Sequence, residues 1–286
     1  VMVPILLIGM FIISSAAAGI NRDIEQVRAS ARARSEAALA RKRGEAKLLL
    51  TRDVQVSYDK VKVLFGIDID VGEGEIIALL GTNGAGKSTL LKAISGVTEA
   101  ERGAIVLDGR DITHAPPNEI AALGVAQLPG GHAIFPSLTV KENIEASQWL
   151  TTNDGVGAAI EVEESLRLFP EIQQRWNEPA ANLSGGQQQM LGLAMALHSS
   201  PKVLMIDELS LGLAPTVVER LLPVIKRIAE NGTAVIVVEQ SVNLALTIAD
   251  RAYFMEKGQI RFSGSTKDLL ERPDLLRSVF LSQVNT

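Results

Sequence analysis

Short apolar runs recur along the chain from Leu48 onward, separated by longer stretches with helical periodicity. Val54–Val56, Val61–Val71 and Ile76–Leu80 read as strands, with Gly72-Glu73-Gly74 as the turn between the last two. Val203–Ile206 and Ala234–Val238 are uninterrupted apolar runs without alternation. Strands of that kind are buried on both faces, as in a parallel sheet covered by helices. Helical patterns lie at Leu90–Ile94, Thr139–Leu150, Ala158–Phe169 and from Gln188 to Leu197. The predicted class is α/β.

Ahead of this region the pattern changes. Val1–Ile20 is twenty residues without a charged side chain. As a helix it would extend about 30 Å, matching the hydrocarbon core of a bilayer, so a transmembrane helix is predicted there. A secretory signal would begin with a basic region, whereas this chain begins with Val, and a buried core helix is seldom so long without a charge. The initial Val in place of Met leads us to expect the last span of a larger membrane domain.

Residues 21–47 carry eight Lys/Arg against four Asp/Glu, with no Pro and one Gly, at position 44. That composition predicts a polar helix ending near Gly44, on the cytoplasmic side by its positive charge. Two readings of this basic linker helix stay open, a solvated connection or a contact with membrane lipid headgroups.

Composition narrows the classes of function. The 286 residues are 47% hydrophobic and 21% charged, enough for one globular domain and something extra. The absence of Cys excludes a disulfide framework and a thiolate zinc site, and suits a reducing compartment. His114, His132 and His198 show no metal-ligand spacing. The net charge is −5, and the surplus of +4 in residues 21–47 leaves −9 on residues 48–286. An acidic main domain argues against nucleic acid as a partner.

The strongest chemical signal runs from Gly81 through Thr82, Asn83, Gly84, Ala85, Gly86, Lys87 and Ser88 to Thr89, fitting G-x-x-x-x-G-K-[ST] between a predicted strand and a predicted helix. Its glycines allow a fold tight enough to aim several N–H groups at one anion. The helix adds its positive end, Lys87 a full charge, and Ser88 a hydroxyl for Mg²⁺. The competing reading, a glycine-rich turn followed by chance by Lys-Ser, does not explain this placement. The chain is predicted to bind a nucleoside triphosphate.

Two further signals are weak when read singly. Leu183-Ser184-Gly185-Gly186-Gln187 opens a helical run, which fits an anion-binding helix start or an ordinary N-cap. Val203–Ile206 ends in Asp207 and Glu208. Asp207 is placed to hold Mg²⁺ through water and Glu208 to orient and polarise an attacking water, though strands ending in acidic residues are common.

In this order the three motifs resemble the ATP-binding cassette (ABC) family over about residues 48–272. The resemblance implies a P-loop fold with a RecA-like parallel sheet core, an antiparallel β subdomain and a helical subdomain at about 137–190. Residues 273–286 are left as a tail. It also implies ATP and Mg²⁺ as cofactors, and a head-to-tail dimer with a second ABC cassette. In that dimer Ser184, Gly185, Gly186 and Gln187 would reach the γ-phosphate on the partner subunit. Tyr58, upstream of the phosphate loop, would stack on adenine. Its bland alternative is a strand-end Tyr with no ligand.

Leu168-Phe169-Pro170, Ser210 to Pro215, Val238-Glu239-Gln240 and Ala249 to Tyr253 look like the ATPase subunits of branched-chain amino acid importers. Gln240 stands where most ABC ATPases have a His contacting the γ-phosphate; it can donate a hydrogen bond but cannot carry a proton.

Three positions depart from the pattern: Gly130 where Glu or Gln is usual, Met195 for Arg, and Leu209 for Pro. Gln127 is expected to point into its strand and not to substitute for the missing side chain. Segment 137–182 is read as docking on a transmembrane transporter domain. Ile134, Phe135, Leu138 and Val140 are divided there between the docking groove and the core.

The expected function is ATP hydrolysis that powers solute transport from the cytoplasmic side of the cell membrane, possible cargo being hydrophobic amino acids. Rival readings are a non-transport ABC ATPase and a weakly hydrolysing nucleotide sensor.

Overall fold

The structure, a computed structural model, describes residues 24–130, 133–149 and 167–271. The predicted transmembrane helix at Val1–Ile20 lies outside the described residues, as do most of the Ala158–Phe169 pattern and the tail. No helix among the described residues is long and apolar enough to cross a membrane.

A parallel sheet forms the centre. Its strand order is β10-β9-β3-β8-β7-β6. The strands are β3 (Ile76–Gly81), β6 (Val125–Leu128), β7 (Val203–Asp207), β8 (Ala234–Glu239), β9 (Arg251–Glu256) and β10 (Gln259–Ser265). All run parallel except β10, which closes one edge antiparallel to β9. The uninterrupted apolar runs follow from this position, because both faces are covered. Ile76, Ala78 and Leu80 pack on one side, Ile77 and Leu79 on the other.

The first side is covered by α4 (Val140–Trp149), α5 (Pro170–Gln173), α6 (Gly185–Leu197), α7 (Pro215–Glu230) and α8 (Val242–Ile248). The second is covered by α2 (Lys87–Ile94), α3 (Pro117–Ala122) and the inner face of a smaller antiparallel sheet. That sheet has the order β2-β1-β4-β5, from β1 (Leu49–Tyr58), β2 (Val61–Val71), β4 (Arg102–Leu107) and β5 (Arg110–Asp111). A two-residue turn with positive φ at Asp59 and Lys60 joins β1 to β2, the hairpin form that matches strand twist. A short α9 (Thr266–Leu270) ends the described chain.

Residues 24–42 form α1. It stops as expected: Gly44 has φ 77°, and the Glu45 and Gly44 N–H groups donate to the Ala40 and Arg41 carbonyls. Its expected role is corrected. α1 is not a solvated linker, because Ala33 and Ala37 are buried against Leu50, Ala104 and Val106 on the outer face of the small sheet. Polar bonds lock it there. Gln26 donates to the Gly103 carbonyl, the Ser30 hydroxyl bonds Asp111, and Arg52 Nε donates to Glu36 at 2.9 Å. The physical reason is the small-residue stripe, which lets helix and sheet approach closely.

Candidate functional site

The chemistry gathers at the carboxyl ends of β3, β7 and β8. Leu80 of β3 pairs with Glu239 of β8, and Val238 of β8 pairs with Asp207 of β7, so the three strand ends lie side by side. In open α/β sheets ligands bind at this edge, where loops rather than strands supply the groups.

The loop after β3 is shaped by glycine where nothing larger fits. Gly81, with φ 152°, carries no side chain because a Cβ would overlap the Met255 carbonyl. Gly86, with φ 103°, caps α2, and a Cβ there would meet Leu64 at 2.8 Å. Lys87 begins α2 and is 6% exposed. Its ammonium donates to the carbonyls of Gly81 at 2.8 Å and Thr82 at 2.9 Å, folded back on its own loop. Burial lowers its pKa, against the attraction of Glu208, Asp207 and Glu239.

Across the sheet edge, burial raises the pKa of Asp207, opposed by a hydrogen bond with Ser88 and the charge of Lys87. One oxygen, Oδ1, is buried with no hydrogen-bond partner. An orphaned buried carboxylate oxygen beside a Ser hydroxyl fits a hard divalent cation completed by phosphate oxygens and water. No cluster of three His, Cys, Asp or Glu that could hold a metal unaided occurs among the described residues.

Glu208 follows in a left-handed conformation, φ 54°. Gln240, at the end of β8, donates from Nε2 to Glu208 Oε1 at 2.8 Å. Lys87, Ser88, Asp207, Glu208 and Gln240 are thus brought to one edge.

Ser184 and Gln187 behave as an ordinary cap. The Gln187 N–H donates to the Ser184 hydroxyl, and the Ser184 N–H donates back to Gln187 Oε1, forming a capping box at the start of α6. Gly186 is needed for packing as well, since a Cβ would meet Val217 at 2.6 Å. Tyr58 ends β1 with 41% exposure, and its hydroxyl bonds Thr98 Oγ1 at 3.2 Å.

The departures also find their places. Gly130 lies against the Asp207 carbonyl and the Cβ of Glu208. Leu209 is buried in the core, and Met195 lines a groove of about 720 Å³ with Gln127, Phe135, Glu142, Glu145 and Gly192. Gln127 accepts from the Ser95 hydroxyl at 3.0 Å and so is held away from the carboxylates. Val140 is wholly buried, Ile134 packs on the core, and Phe135 is 52% exposed.

Glu239 is the site residue to which the sequence assigns no role, although it stands within Val238-Glu239-Gln240. A carboxylate closing an otherwise apolar strand was the available signal, and it reads in sequence like any strand end.

Comparison with known proteins fits this geometry. The family model described as ABC transporter matches residues 64–210. A Pseudomonas aeruginosa protein, the high-affinity branched-chain amino acid transport ATP-binding protein BraG, is 38% identical over 220 residues, covering 77% of this chain and 94% of that one. A probable branched-chain amino acid transport ATP-binding protein LivF from Archaeoglobus fulgidus is 36% identical, covering 78% and 94%. Among solved structures, an ATP-binding subunit of an ABC transporter superposes with a TM-score of 0.71 at 26% identity, covering 83% of this chain and all of the other.

Proposed function

The chain belongs to the ABC transporter family of ATP-binding cassettes, and from that premise we propose how its residues bind and hydrolyse ATP and for which cargo. It is a transport-coupled ATPase. The observation carrying the assignment of roles is the convergence of Lys87, Ser88, Asp207 and Glu208 at adjoining strand ends.

The N–H groups at the start of α2 and the Lys87 ammonium grip the β- and γ-phosphates, Lys87 exchanging its two loop carbonyls for phosphate oxygens. Ser88 and Asp207 hold Mg²⁺. When bound, the ion neutralises charge developing on the phosphate oxygens. Glu208 orients and polarises the attacking water, and Gln240, already bonded to Glu208, donates to the γ-phosphate or that water. Tyr58 stacks on adenine. Positioning and charge stabilisation supply the catalysis, with no covalent step on the protein.

Completion of the site by a second cassette is proposed on the motif at Ser184 to Gln187. The capping box takes up the N–H groups of Ser184 and Gln187 and leaves those of Gly185 and Gly186 to meet an anion on a partner. A mixing experiment tests this. Lys87→Ala and Ser184→Arg chains are each inactive alone; in a head-to-tail pair the mixture contains one intact site and recovers activity. In a site completed within one chain, mixing recovers nothing.

For cargo, BraG and LivF support branched-chain amino acids. A 32% identical relative from Sulfolobus acidocaldarius is named for xylose and arabinose import, so cassette likeness alone does not choose. The groove beside Met195 and Phe135 is proposed to receive the membrane domain, and likeness to transport ATP-binding proteins supports a cassette on the cytoplasmic side of the membrane. Leucine uptake into vesicles holding the assembled transporter tests the cargo. Uptake of arabinose in its place overturns it.

A further inference from the structure

Glu208 keeps a backbone conformation that non-glycine residues hold only where the surroundings impose it. Three contacts do so. Its N–H donates to the Val238 carbonyl at 3.0 Å, Leu209 is buried in the core, and Ser210 is tied to Glu239. That last tie is double: the Ser210 N–H donates to Glu239 Oε1 and its hydroxyl to Oε2, each at 2.9 Å.

Glu239 is 2% exposed, at the end of a strand whose other five residues are Ala, Val and Ile. An apolar side chain there would avoid the cost of burying a carboxylate, so the carboxylate is worth keeping only for the bonds it makes. Those bonds reach the turn that carries Glu208, and Gln240 follows Glu239 directly in the chain. The Glu208 and Gln240 side chains meet at 2.8 Å.

The geometry points to Glu239 as a positioning residue for hydrolysis, a buried double acceptor that clamps Ser210 and so sets Glu208 against the attacking water. Both its oxygens are taken up by Ser210. The inference rests on the reading of Glu208 as the water-orienting carboxylate. Without the clamp the turn is free to relax, and a displacement of about 1 Å at a reacting group lowers turnover on the order of a hundredfold.

The test is steady-state ATPase kinetics with Glu239→Ala, Glu239→Gln, Ser210→Ala and the Glu239→Ala/Ser210→Ala pair, alongside Mg-ATP binding by calorimetry and Glu208→Gln as reference. Both Glu239 variants remove the same charge from the neighbourhood of Lys87. Their difference therefore reports the hydrogen bonds: Gln still accepts from the Ser210 N–H while the hydroxyl turns to accept from the amide. Expected are a kcat lowered at least tenfold in Glu239→Ala with KM within about twofold, at least partial recovery in Glu239→Gln, and no further loss on adding Ser210→Ala. Full turnover in folded Glu239→Ala, equal losses in Ala and Gln, or additive losses in the pair would overturn the clamp. Should Glu239→Ala fail to fold, unchanged kcat in Ser210→Ala, which removes one of the two bonds, overturns it equally. Inactive Glu208→Gln beside fully active Glu239→Ala removes the clamp alone, whereas active Glu208→Gln removes the reading beneath it.

Discussion

Gly130 lies against Glu208: a Cβ built on Gly130 would stand 3.6 Å from the Glu208 Cβ and 3.1 Å from the Asp207 carbonyl oxygen. The position where this chain lacks the usual Glu or Gln thus borders the carboxylates it would serve, while Gln127 is occupied with Ser95.

A side chain at that place should therefore speed hydrolysis. Gly130→Gln is expected to raise kcat by about three- to tenfold, roughly 0.7–1.4 kcal/mol off the barrier. The Asp207 carbonyl must give way by a few tenths of an ångström to admit it. A kcat at or below the parent value would show that the missing side chain does not limit turnover.

Glu208→Gln should keep Mg-ATP bound and lower phosphate release by about 10²–10⁴-fold, the range of a lost general base. Titration calorimetry and a phosphate-release assay read the two halves. Normal turnover in this variant would remove Glu208 from the mechanism.

Lys87→Ala removes the one cation buried at the phosphate loop. Charge-assisted hydrogen bonds contribute about 1.5–3 kcal/mol, so ATP affinity should fall roughly 10- to 150-fold. Unaltered affinity would mean that the loop N–H groups suffice.

Asp207 gives a pH dependence of defined sign. Burial holds its carboxyl above the usual carboxylate range, so the folded chain keeps the proton more tightly than the unfolded chain. Stability falls as pH rises through the window between the unfolded and folded values. Asp207→Asn should accordingly raise the Tm of nucleotide-free protein at neutral pH, and the gain should shrink as pH falls toward about 4, where the unfolded carboxyl also begins to take up the proton. Calorimetry across that range checks it; a variant less stable at neutral pH contradicts it.

Docking of α1 predicts a cost for charge inside its contact. Ala33 is 1% exposed. Ala33→Glu should destabilise by about 1–3 kcal/mol, the cost of an unsatisfied buried polar group, while leaving the ATP site intact. Thermal unfolding with ATP binding at low temperature measures both. An unchanged Tm would show that α1 is not held on the sheet in solution.

The chemistry of this cassette is local, and local chemistry was legible. Gly81 to Thr89 needs glycines in one short loop and a Lys at the helix start, and Val203 to Glu208 needs an apolar strand ending in carboxylates. Backbone sterics and hydrophobic burial act over a few residues, so strands β2, β3, β7 and β8 and helices α2 and α6 follow from the pattern nearly to their ends. What tertiary structure alone decided involves residues distant along the chain. The Ala stripe of α1 has no meaning until Leu50, Ala104 and Val106 lie opposite it. Glu239 reads as one more strand end until folding brings Ser210 to both its oxygens, and Gly130 shows what it lacks only beside Glu208. Such pairings depend on which strands become neighbours, a choice made by burial of the whole sheet rather than by any one segment.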